Sequence, residues 1–315
     1  MHYLVTGCAG FIGSHLCERL LGQGLRLTGV DCFTDYYARE IKEQNLKGFL
    51  KHPNFSFHPV DLNSAPLQEL IKEVDGIFHL AAQPGVRASW GRSFEVYLQH
   101  NLLALQKLLE AAKEQGGPRI VFASSSSVYG HTDRFPTPET AAKRPLSPYG
   151  VTKLAGEALC DLYCKNYGLD IISLRFFTVY GPRQRPDMAF HRFFRALREE
   201  QPIHVYGDGR QTRDWTYIAD ILDGVIAAME KGVSGRAYNL GGGHQRQLLE
   251  VIRLLAQICD RDPVLQFEPA QKGDVRDTYA DNSLARAELG FDPKTDLRAG
   301  LTEQLKWIKG LLQGY

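Results

Sequence analysis

The 315-residue sequence predicts an α/β protein with a doubly wound parallel sheet and a smaller α/β domain toward its C-terminal end. In the first half, short runs rich in β-branched residues alternate with longer amphipathic stretches, which is typical of a parallel sheet with helices on both faces. After Gly181 the sequence changes to shorter segments separated by proline and glycine. We therefore expect two domains, residues 1–180 and residues 181–315, and a chain of this length commonly forms two.

The predicted elements follow from the spacing of the apolar residues. Short apolar runs predict strands at 3–6, 25–31, 55–60, 77–80, 120–123 and 171–174, several of them apolar on both faces. Helical spacing predicts helices at 11–22, 64–73, 94–115 and 149–166, and further helices near 186–199, 218–231, 247–259 and 297–312. Residues 218–240 have the pattern of a helix followed by a strand, and we expect them to return to the first sheet.

Composition excludes several functional classes. The chain has 37 Lys and Arg against 36 Asp and Glu, so it lacks the basic excess of a typical nucleic-acid-binding protein, and we expect no nucleic-acid partner. No run approaches the ~18 consecutive apolar residues of a membrane-spanning helix, and the first residues show no signal peptide. The six cysteines form neither a CxxC nor a zinc spacing. We therefore expect a cytoplasmic protein with reduced thiols, no membrane contact and no metal site.

The turn between the first strand and the first helix has the sequence Gly7-Cys8-Ala9-Gly10-Phe11-Ile12-Gly13. Glycines here let the chain turn tightly and let its backbone approach a pyrophosphate, which then lies at the helix N-terminus. A GxxGxxG triplet alone also occurs in ordinary tight turns. Asp31, at the end of the second strand, strengthens the interpretation because a carboxylate there accepts both hydroxyls of an adenosine ribose. Its charge would repel a 2′-phosphate, so the sequence favours NAD over NADP.

Two further segments follow strands at the same edge of the sheet. Asp61 and Leu62 follow the third strand, where the Asp61 carboxylate can reach an adenine amino group. Leu80, Ala81 and Ala82 follow the fourth strand, and the small residues here would let a cofactor lie close. Each segment alone is ordinary strand-end chemistry. Together with the glycine turn they form a consistent row along the carboxyl edge.

Tyr149 and Lys153 are four residues apart on a predicted helix, so their side chains share one face. An ammonium beside a phenol lowers the phenol pKa, which makes Tyr149 a candidate general base for an alcohol proton. A YxxxK pair alone is common on protein surfaces. The run Ser124–Ser127 follows the fifth strand and brings hydroxyls to the edge that carries the cofactor site. The combination is therefore more specific than either part.

These motifs together resemble the extended short-chain dehydrogenase/reductase family, in its nucleotide-sugar epimerase/dehydratase branch. The resemblance covers nearly the whole chain and rests on TGCAGFIG, Asp31, Asp61, HLAA, SSSSVYG, PYGVTK, RFFTVYGP and RDWTYIAD. It implies a Rossmann-type NAD-binding domain, a smaller domain that binds a nucleoside diphosphate sugar, and a homodimer that pairs through the helices near 94–115 and 149–166. The catalytic residues that it implies are Ser125, Tyr149 and Lys153, and its cofactor site includes Asn101 and Ser124.

Reactions in this branch begin with oxidation of the sugar at C4, with Tyr149 taking the O4 proton and Ser125 hydrogen-bonding O4. The branch's 4,6-dehydratases have Asp-Glu where this sequence has Ser126 and Ser127, and its uronate decarboxylases keep Glu at the position of Ser127. A serine hydroxyl cannot remove a C5 proton at neutral pH, so the resemblance disfavours both reactions. What remains is 4-epimerisation, in which the keto sugar turns over and is reduced on its other face. The resemblance therefore implies that NAD is regenerated in each turnover, and we expect it to stay tightly bound.

The segment 175–189 resembles UDP-glucuronate 4-epimerases, which interconvert UDP-glucuronate and UDP-galacturonate. Arg185 offers two parallel donors to a C6 carboxylate, and Thr178 and the two serines add hydroxyl donors. A 4-keto uronate is a β-keto acid, so the same grip would also protect it from losing CO2. The alternative for Arg185 is an ion pair with Asp187 or with a diphosphate.

The remaining substrate candidates lie elsewhere in the chain. Arg213 and Arg276 are expected to bind the UDP diphosphate, Arg87 to be a second carboxylate partner, and Tyr206 to stack on uracil or pack in the core. Arg276 is a departure, because UDP-glucose 4-epimerases often have arginine there and UDP-glucuronate 4-epimerases often lack it. UDP-glucose 4-epimerase is therefore the nearest alternative, followed by UDP-glucuronate decarboxylase. A non-catalytic NAD-sensing protein would have the same fold but tends to lose the Tyr or the Lys.

Overall fold

The centre of the structure, a computed structural model that describes residues 1–313, is a parallel sheet of seven strands. The strands in chain order are β1 (His2–Thr6), β2 (Arg26–Val30), β3 (Phe55–His58), β4 (Gly76–His79), β5 (Arg119–Ser125), β6 (Ile171–Phe176), β7 (Thr178–Tyr180), β8 (Ile203–Tyr206), β9 (Thr212–Tyr217), β10 (Ala237–Leu240), β11 (His244–Gln247) and β12 (Leu265–Glu268). The sheet has the order β3–β2–β1–β4–β5–β6–β10. This is the order of a Rossmann-type fold, so the predicted fold class is confirmed.

The strand order reverses at β1, which pairs with β2 on one side and with β4 on the other. Thr6, at the end of β1, lies opposite Val30 of β2 and His79 of β4. The connections that leave β1 and β4 therefore diverge and open a crevice at the carboxyl ends of the strands. Ligands of open α/β sheets bind at this switch point.

Helices cover both faces of the sheet. They are α1 (Phe11–Gly22), α2 (Arg39–Leu46), α3 (Leu67–Ile71), α4 (Phe94–Tyr97), α5 (Ala104–Glu114), α6 (Pro148–Tyr167), α7 (Ala189–Arg198), α8 (Ile218–Lys231), α9 (Leu248–Cys259), α10 (Ser283–Leu289) and α11 (Leu297–Gln313). A π-helical segment, Leu98–Leu103, joins α4 to α5. Leu4 of β1 packs into the core under α3, α5 and α6, and the next residue, Val5, packs into the core under α1, α8 and α10. Strands with a core on each side read as continuous apolar runs, as the sequence predicts.

Among residues 1–313, we find no helix with the length and apolar character needed to cross a membrane.

Helix α6 carries Tyr149 in its first turn, and its start is fixed by the local sequence. The Ser147 hydroxyl accepts a hydrogen bond from the Gly150 N–H at 3.0 Å, and Pro148 occupies the first helical position, where a missing N–H has no cost. The helix ends at Gly168, whose φ of 68° is left-handed. Tyr149 and Lys153 therefore lie on the first two turns of a well-defined helix.

Most of the chain after Gly181 packs beside the carboxyl edge of the central sheet. Strands β7, β9 and β11 form a three-stranded sheet, and β8 pairs with β12. The core here contains Phe190 and Trp215, whose ring centroids are 4.1 Å apart, and Leu301 of α11. The segment of α8 and β10 belongs to the central sheet instead, because α8 packs on one face of that sheet and β10 pairs in parallel with β6.

The predicted elements are present, with their ends within about three residues of the observed ones. The sequence did not predict α2, α10 or the strands β7, β8, β9, β11 and β12, whereas the helix and strand expected at 218–240 are present as α8 and β10. Helix α2 has apolar residues only at Ile41 and Leu46, and β11 is a run of polar residues that pairs through its backbone, so neither has an apolar period to detect. The predicted second domain ends with residues 314–315, which lie outside the described residues.

A buried ion pair links β6 to α6. Arg175, which is 2% exposed, donates from Nε and Nη2 to the two carboxylate oxygens of Glu157 at 2.8 and 2.7 Å. Its Nη1 donates to the Tyr129 hydroxyl at 2.8 Å, and the Ser124 hydroxyl donates to Glu157. Because both charges are out of water, each depends on the other for its compensation.

We expect Arg175→Met to lower the free energy of unfolding by about 3–5 kcal/mol, because the Glu157 carboxylate is then buried without its cation. The double variant Arg175→Met, Glu157→Leu should recover much of this loss, since neither charge remains. Urea unfolding followed by circular dichroism measures both. A double variant that is no more stable than the single one would contradict charge compensation as the cause.

Candidate active site

A first cavity lies over the carboxyl ends of β1, β2, β4 and β5, and the residues predicted to bind a dinucleotide meet there. Its wall includes Gly7, Gly10, Phe11, Ile12, Gly13, Asp31, Asp61, Leu62, Leu80, Ala81, Ala82, Ser124, Tyr149 and Lys153. Of the predicted cofactor residues, Asn101 alone is not on this wall. Motifs that follow separate strands therefore form one site.

Glycine is required at the turn into α1 because the neighbouring backbone leaves no room for a side chain. Gly7 has a φ of +73°, and a Cβ on it would lie 2.8 Å from the backbone nitrogen of Ala81. A Cβ on Gly13 would lie 2.1 Å from the carbonyl oxygen of Gly7. No side chain caps α1 at Gly10, so its first N–H groups are available to a ligand. A bare backbone at a helix N-terminus is a cradle for a pyrophosphate.

The Asp31 carboxylate is fixed beside this turn. It accepts hydrogen bonds from the N–H of Ala9 at 3.1 Å and from the N–H of Phe33 at 2.9 Å. Burial raises the pKa of Asp31, and the Lys42 ammonium and the two N–H groups oppose the rise. An anchored carboxylate next to a glycine turn suits the ribose of NAD and disfavours a 2′-phosphate. The residues of the first cavity therefore fit NAD, with the glycine turn toward the pyrophosphate and Asp31 toward the ribose.

Lys153 lies on the wall of the first cavity and is 3% exposed. Its ammonium donates a 2.7 Å hydrogen bond to the carbonyl oxygen of Ala123, near the end of β5. Burial lowers the pKa of Lys153 to about 8, with Cys160 and the Glu157 carboxylate opposing the shift. The ammonium is 6.0 Å from the centre of the Tyr149 ring.

The structure differs from the sequence prediction on what tunes Tyr149. The sequence predicts that Lys153 lowers the pKa of Tyr149, but that pKa is raised, because the hydroxyl is removed from water. The groups that oppose the rise are Ser125, through a hydrogen bond, and the positive charge of Arg185. The hydrogen bond to Ala123 explains the difference, since it directs the Lys153 ammonium to the strand.

A second cavity adjoins the first and contains the serine run. Its wall includes Ser124, Ser125, Ser126, Ser127, Tyr149, Thr178, Arg185 and Arg213. The Ser125 hydroxyl donates to the Ser127 hydroxyl and accepts from the Ser127 N–H, both at 3.1 Å. Ser124, Tyr149 and Arg185 lie on the walls of both cavities. A ligand in the second cavity would therefore lie against one in the first.

Arg185 is paired within the protein. Its Nε and Nη2 donate to the two carboxylate oxygens of Asp187, both at 3.0 Å. This is the ion pair that the sequence left open as the alternative to a substrate carboxylate. Arg185 nonetheless lies on the walls of the first and second cavities and of a third, which it shares with Asp187.

The third cavity brings together Arg87, Tyr206 and Arg213. The Arg87 guanidinium pairs with Asp274 at 2.6 Å and lies 4.2 Å from the centre of the Tyr206 ring. Arg213 donates to the backbone carbonyls of Thr212 and Arg276, both at 2.8 Å. Arg87 is absent from the wall of the second cavity, so the structure groups it with Tyr206 and Arg213 and not with the serine run.

Two predicted residues lie outside the three cavities, and both have protein partners. The Arg276 side chain is 58% exposed and pairs with Asp208 at 3.0 Å, which holds its guanidinium on the surface, while its backbone carbonyl accepts the hydrogen bond from Arg213. Asn101, 3% exposed, donates to the Gln83 carbonyl and the Thr152 hydroxyl at 3.1 and 3.0 Å and accepts from the Gln83 N–H at 2.7 Å. Its amide is therefore used to fix the loop after β4 to α6.

The comparison with known families agrees with this geometry. The sequence model of the NAD dependent epimerase/dehydratase family matches residues 3–241, which is most of the chain.

The chain belongs to this family.

Individual members resemble it over their whole length. A UDP-glucuronic acid 4-epimerase from Bacillus cereus, solved in complex with UDP-glucuronic acid and NAD, is 42% identical with a TM-score of 0.96, over 99% of this chain and 100% of that one. A UDP-glucuronate 4-epimerase from Thermodesulfobacterium geofontis (strain OPF15) is 39% identical over 98% of this chain and 96% of its own. A Bacillus subtilis (strain 168) protein named uncharacterized UDP-glucose epimerase YtcB is 46% identical over 100% of both chains.

Membership of the family makes the chain an NAD-dependent enzyme of this class, as its sequence predicts.

The sequence did not identify several residues that shape the site. Lys42 donates to the Thr34 carbonyl at 2.6 Å and lies on the wall of the first cavity, and Tyr36 lies on the walls of the first and third. Asp274 holds Arg87. None belongs to a motif with a recognisable spacing, so only the folded chain brings them to the site.

We expect Gly13→Ala to abolish retention of NAD by the epimerase fold, because the new methyl would overlap the Gly7 carbonyl and push α1 away from the turn. Gly22→Ala, at the other end of α1, is the matched control, since a Cβ there has no heavy atom within 4 Å. The absorbance of released nucleotide after denaturation measures the bound cofactor. Full retention in Gly13→Ala would contradict the close-approach argument.

We expect Lys153→Met to remove activity but to raise the unfolding temperature at pH 7. A pKa lowered from 10.5 to about 8 means that the buried charge destabilises the fold by roughly 3 kcal/mol. This cost is complete below pH 8 and disappears as the pH rises through 10.5, where the unfolded chain also loses its proton. Thermal unfolding at pH 7 and pH 10 measures it. A variant that is less stable than the parent at pH 7 would contradict it.

Proposed function

We propose that the protein is a UDP-glucuronate 4-epimerase, which interconverts UDP-glucuronate and UDP-galacturonate through a 4-keto sugar. The observation that carries the proposal is the position of Arg185. Its guanidinium shares the wall of the second cavity with Tyr149 and with the hydroxyls of Ser126, Ser127 and Thr178. A cation with three hydroxyls suits a sugar carboxylate, and it stands next to the candidate base. The B. cereus and T. geofontis relatives carry the same activity in their names.

Tyr149 takes the O4 proton in this reaction, while the Ser125 hydroxyl hydrogen-bonds the same oxygen. Bound NAD supplies the two-electron oxidation of C4 and then its reversal. The C4–H and O4–H bonds break as C4=O forms, and Tyr149 returns the proton when C4 is reduced on its other face. Ser125 and Arg185 favour the phenolate that this base requires. Lys153, whose ammonium donates to the Ala123 carbonyl, places a positive charge on the wall of the first cavity.

The second cavity lacks a free carboxylate for elimination chemistry. The acidic side chains on the described part of its wall are Asp274 and Asp277. Asp274 pairs with Arg87, and Asp277 accepts hydrogen bonds from the N–H and hydroxyl of Thr212 at 2.9 and 2.7 Å. Ser126 and Ser127 cannot take a C5 proton at neutral pH. This arrangement supports epimerisation over 4,6-dehydration and over decarboxylation assisted by a glutamate.

The carboxylate grip has a second role in this proposal. The 4-keto uronate is a β-keto acid and loses CO2 when the bond to its carboxylate aligns with the carbonyl π system. Arg185 and the hydroxyls hold the carboxylate nearer the carbonyl plane, which suppresses that loss. Selection of the acid and protection of the intermediate thus use the same side chains.

The second candidate is a UDP-glucose 4-epimerase. The name of the B. subtilis relative favours it, and so does the pairing of Arg185 with Asp187, which leaves the cation compensated when no uronate is present. The two candidates differ in whether Arg185 binds a carboxylate at C6 of the substrate.

The remaining assignments extend the proposal to the whole molecule. Residues 1–180 with 218–240 hold NAD, and the rest of 181–315 holds the UDP moiety, with Arg213 at the diphosphate and Tyr206 at the uracil. A homodimer pairs through α4–α5 and α6, which expose Val96, Leu103 and Leu162. All six cysteines are free thiols, which suits the cytoplasm.

We expect Arg185→Ala to lower kcat/KM for UDP-glucuronate about 100-fold, the equivalent of about 3 kcal/mol for a lost ionic partner. UDP-glucose turnover should fall by a smaller factor, because without a carboxylate this substrate loses only the effect of the Arg185 charge on the Tyr149 phenolate. Arg286→Ala, which breaks a surface pair with Asp292, is the control. NMR of the products measures both substrates. Equal losses on the two would contradict the assignment of Arg185.

A further inference from the structure

Asp187 meets Arg185 on one particular edge of the guanidinium. A guanidinium presents two forked edges, a side edge formed by Nε and one terminal nitrogen, and an end formed by the two terminal nitrogens. Asp187 occupies the side edge, through Nε and Nη2. In the described part of the chain Nη1 has no hydrogen-bond partner, so the end fork is open to a ligand.

Asp187 accepts a hydrogen bond from a residue on the wall of the first cavity. The Tyr36 hydroxyl donates to Asp187 at 3.3 Å, and Tyr36 belongs to the loop after β2, which lines the first cavity. Tyr36 is packed over Gly85, where an added Cβ would lie 2.2 Å from its hydroxyl oxygen. Burial and the Asp187 carboxylate raise the pKa of Tyr36 to about 12, so it remains a donor. Hydrogen bonds therefore connect the loop after β2 to the wall of the second cavity, through Tyr36, Asp187 and Arg185.

We propose that Asp187 is a positioning residue for substrate recognition: it holds Arg185 by the side edge so that the end fork receives the C6 carboxylate of a UDP-uronate. This inference rests on the proposed function and assigns the residue that sets its specificity. Arg185 has several rotatable bonds, and fixing it beforehand lowers the entropy that a ligand must remove on binding. The cation also lies between the two carboxylates and screens one from the other.

A different role for Asp187 predicts the opposite result. If Asp187 were a stand-in that must leave before the substrate carboxylate binds, then removing its charge would free Arg185 and tighten binding of the uronate. If it positions Arg185, removing its charge weakens binding. The sign of one change in affinity therefore separates the two.

The experiment measures binding of UDP-glucuronate and UDP-glucose by calorimetry, using NAD-loaded protein in a Tyr149→Phe background so that no turnover occurs. We expect Asp187→Asn to raise the Kd of UDP-glucuronate about 10-fold, since ordering one flexible side chain on binding weakens affinity by up to about 10-fold. The Kd of UDP-glucose should change less than about two-fold. Tyr36→Phe should shift the uronate Kd in the same direction by a smaller factor.

Two controls make the result specific. Asp292→Asn removes a carboxylate from a surface pair with Arg286 and should leave both Kd values unchanged. In an Arg185→Ala background, Asp187→Asn should have no further effect on the uronate Kd, because Asp187 acts through Arg185.

An unchanged or lower uronate Kd in Asp187→Asn overturns the positioning role, even when the protein with Asp187 and Tyr149 intact converts UDP-glucuronate normally. A protein with Asp187 present that binds UDP-glucuronate no better than UDP-glucose overturns the positioning role too. The separate assay of turnover then decides whether the proposed function also fails.

Discussion

The site depends on one close contact, between the turn that leaves β1 and the backbone that follows β4. Gly7 and Gly13 have no side chains, and a methyl on either would meet backbone atoms of Ala81 or of Gly7 itself. This contact lets α1 begin directly at the sheet edge, with its N–H groups toward the crevice at the switch point. The first cavity therefore reaches the N-terminus of α1 at a point where Gly7 and Gly13 present only backbone.

Two cations, Lys153 and Arg185, lie near Tyr149, and a different partner fixes each of them. Lys153 is fixed by the Ala123 carbonyl and loses part of its basicity to burial. Arg185 keeps its charge and is fixed by Asp187, and its field, with the Ser125 hydroxyl, opposes the cost of a buried phenolate at Tyr149. Tyr149 therefore needs further stabilisation of its phenolate, and we expect this to come when substrate and cofactor occupy the two cavities. The division also explains how one arginine serves both recognition of the carboxylate and the chemistry at C4.

The sequence predicts those parts of the fold and site that are encoded locally. The glycine turn, Asp31, the serine run and the YxxxK pair each lie within a few residues and follow a strand, so their meeting at one edge follows from the parallel sheet. Partners that are distant in sequence were not predictable in the same way. Arg276 pairs with Asp208, Asn101 bonds the loop after β4, and Arg87 pairs with Asp274. In each case a group of the protein itself binds a side chain that the sequence assigned to a ligand. The direction of Lys153 is a similar case, since helical spacing places it on the face of Tyr149 but does not show that the Ala123 carbonyl binds its ammonium.

The central claim is that C4 of a UDP-uronate is oxidised and reduced within one closed site by a resident cofactor. The most direct test is incubation of the purified protein, without added NAD, with UDP-glucuronate that carries deuterium at C4, followed by NMR of the products. We expect UDP-galacturonate that retains the deuterium at C4, with little decarboxylated UDP-pentose. UDP-galacturonate with hydrogen at C4 would contradict it, and so would the absence of any epimer.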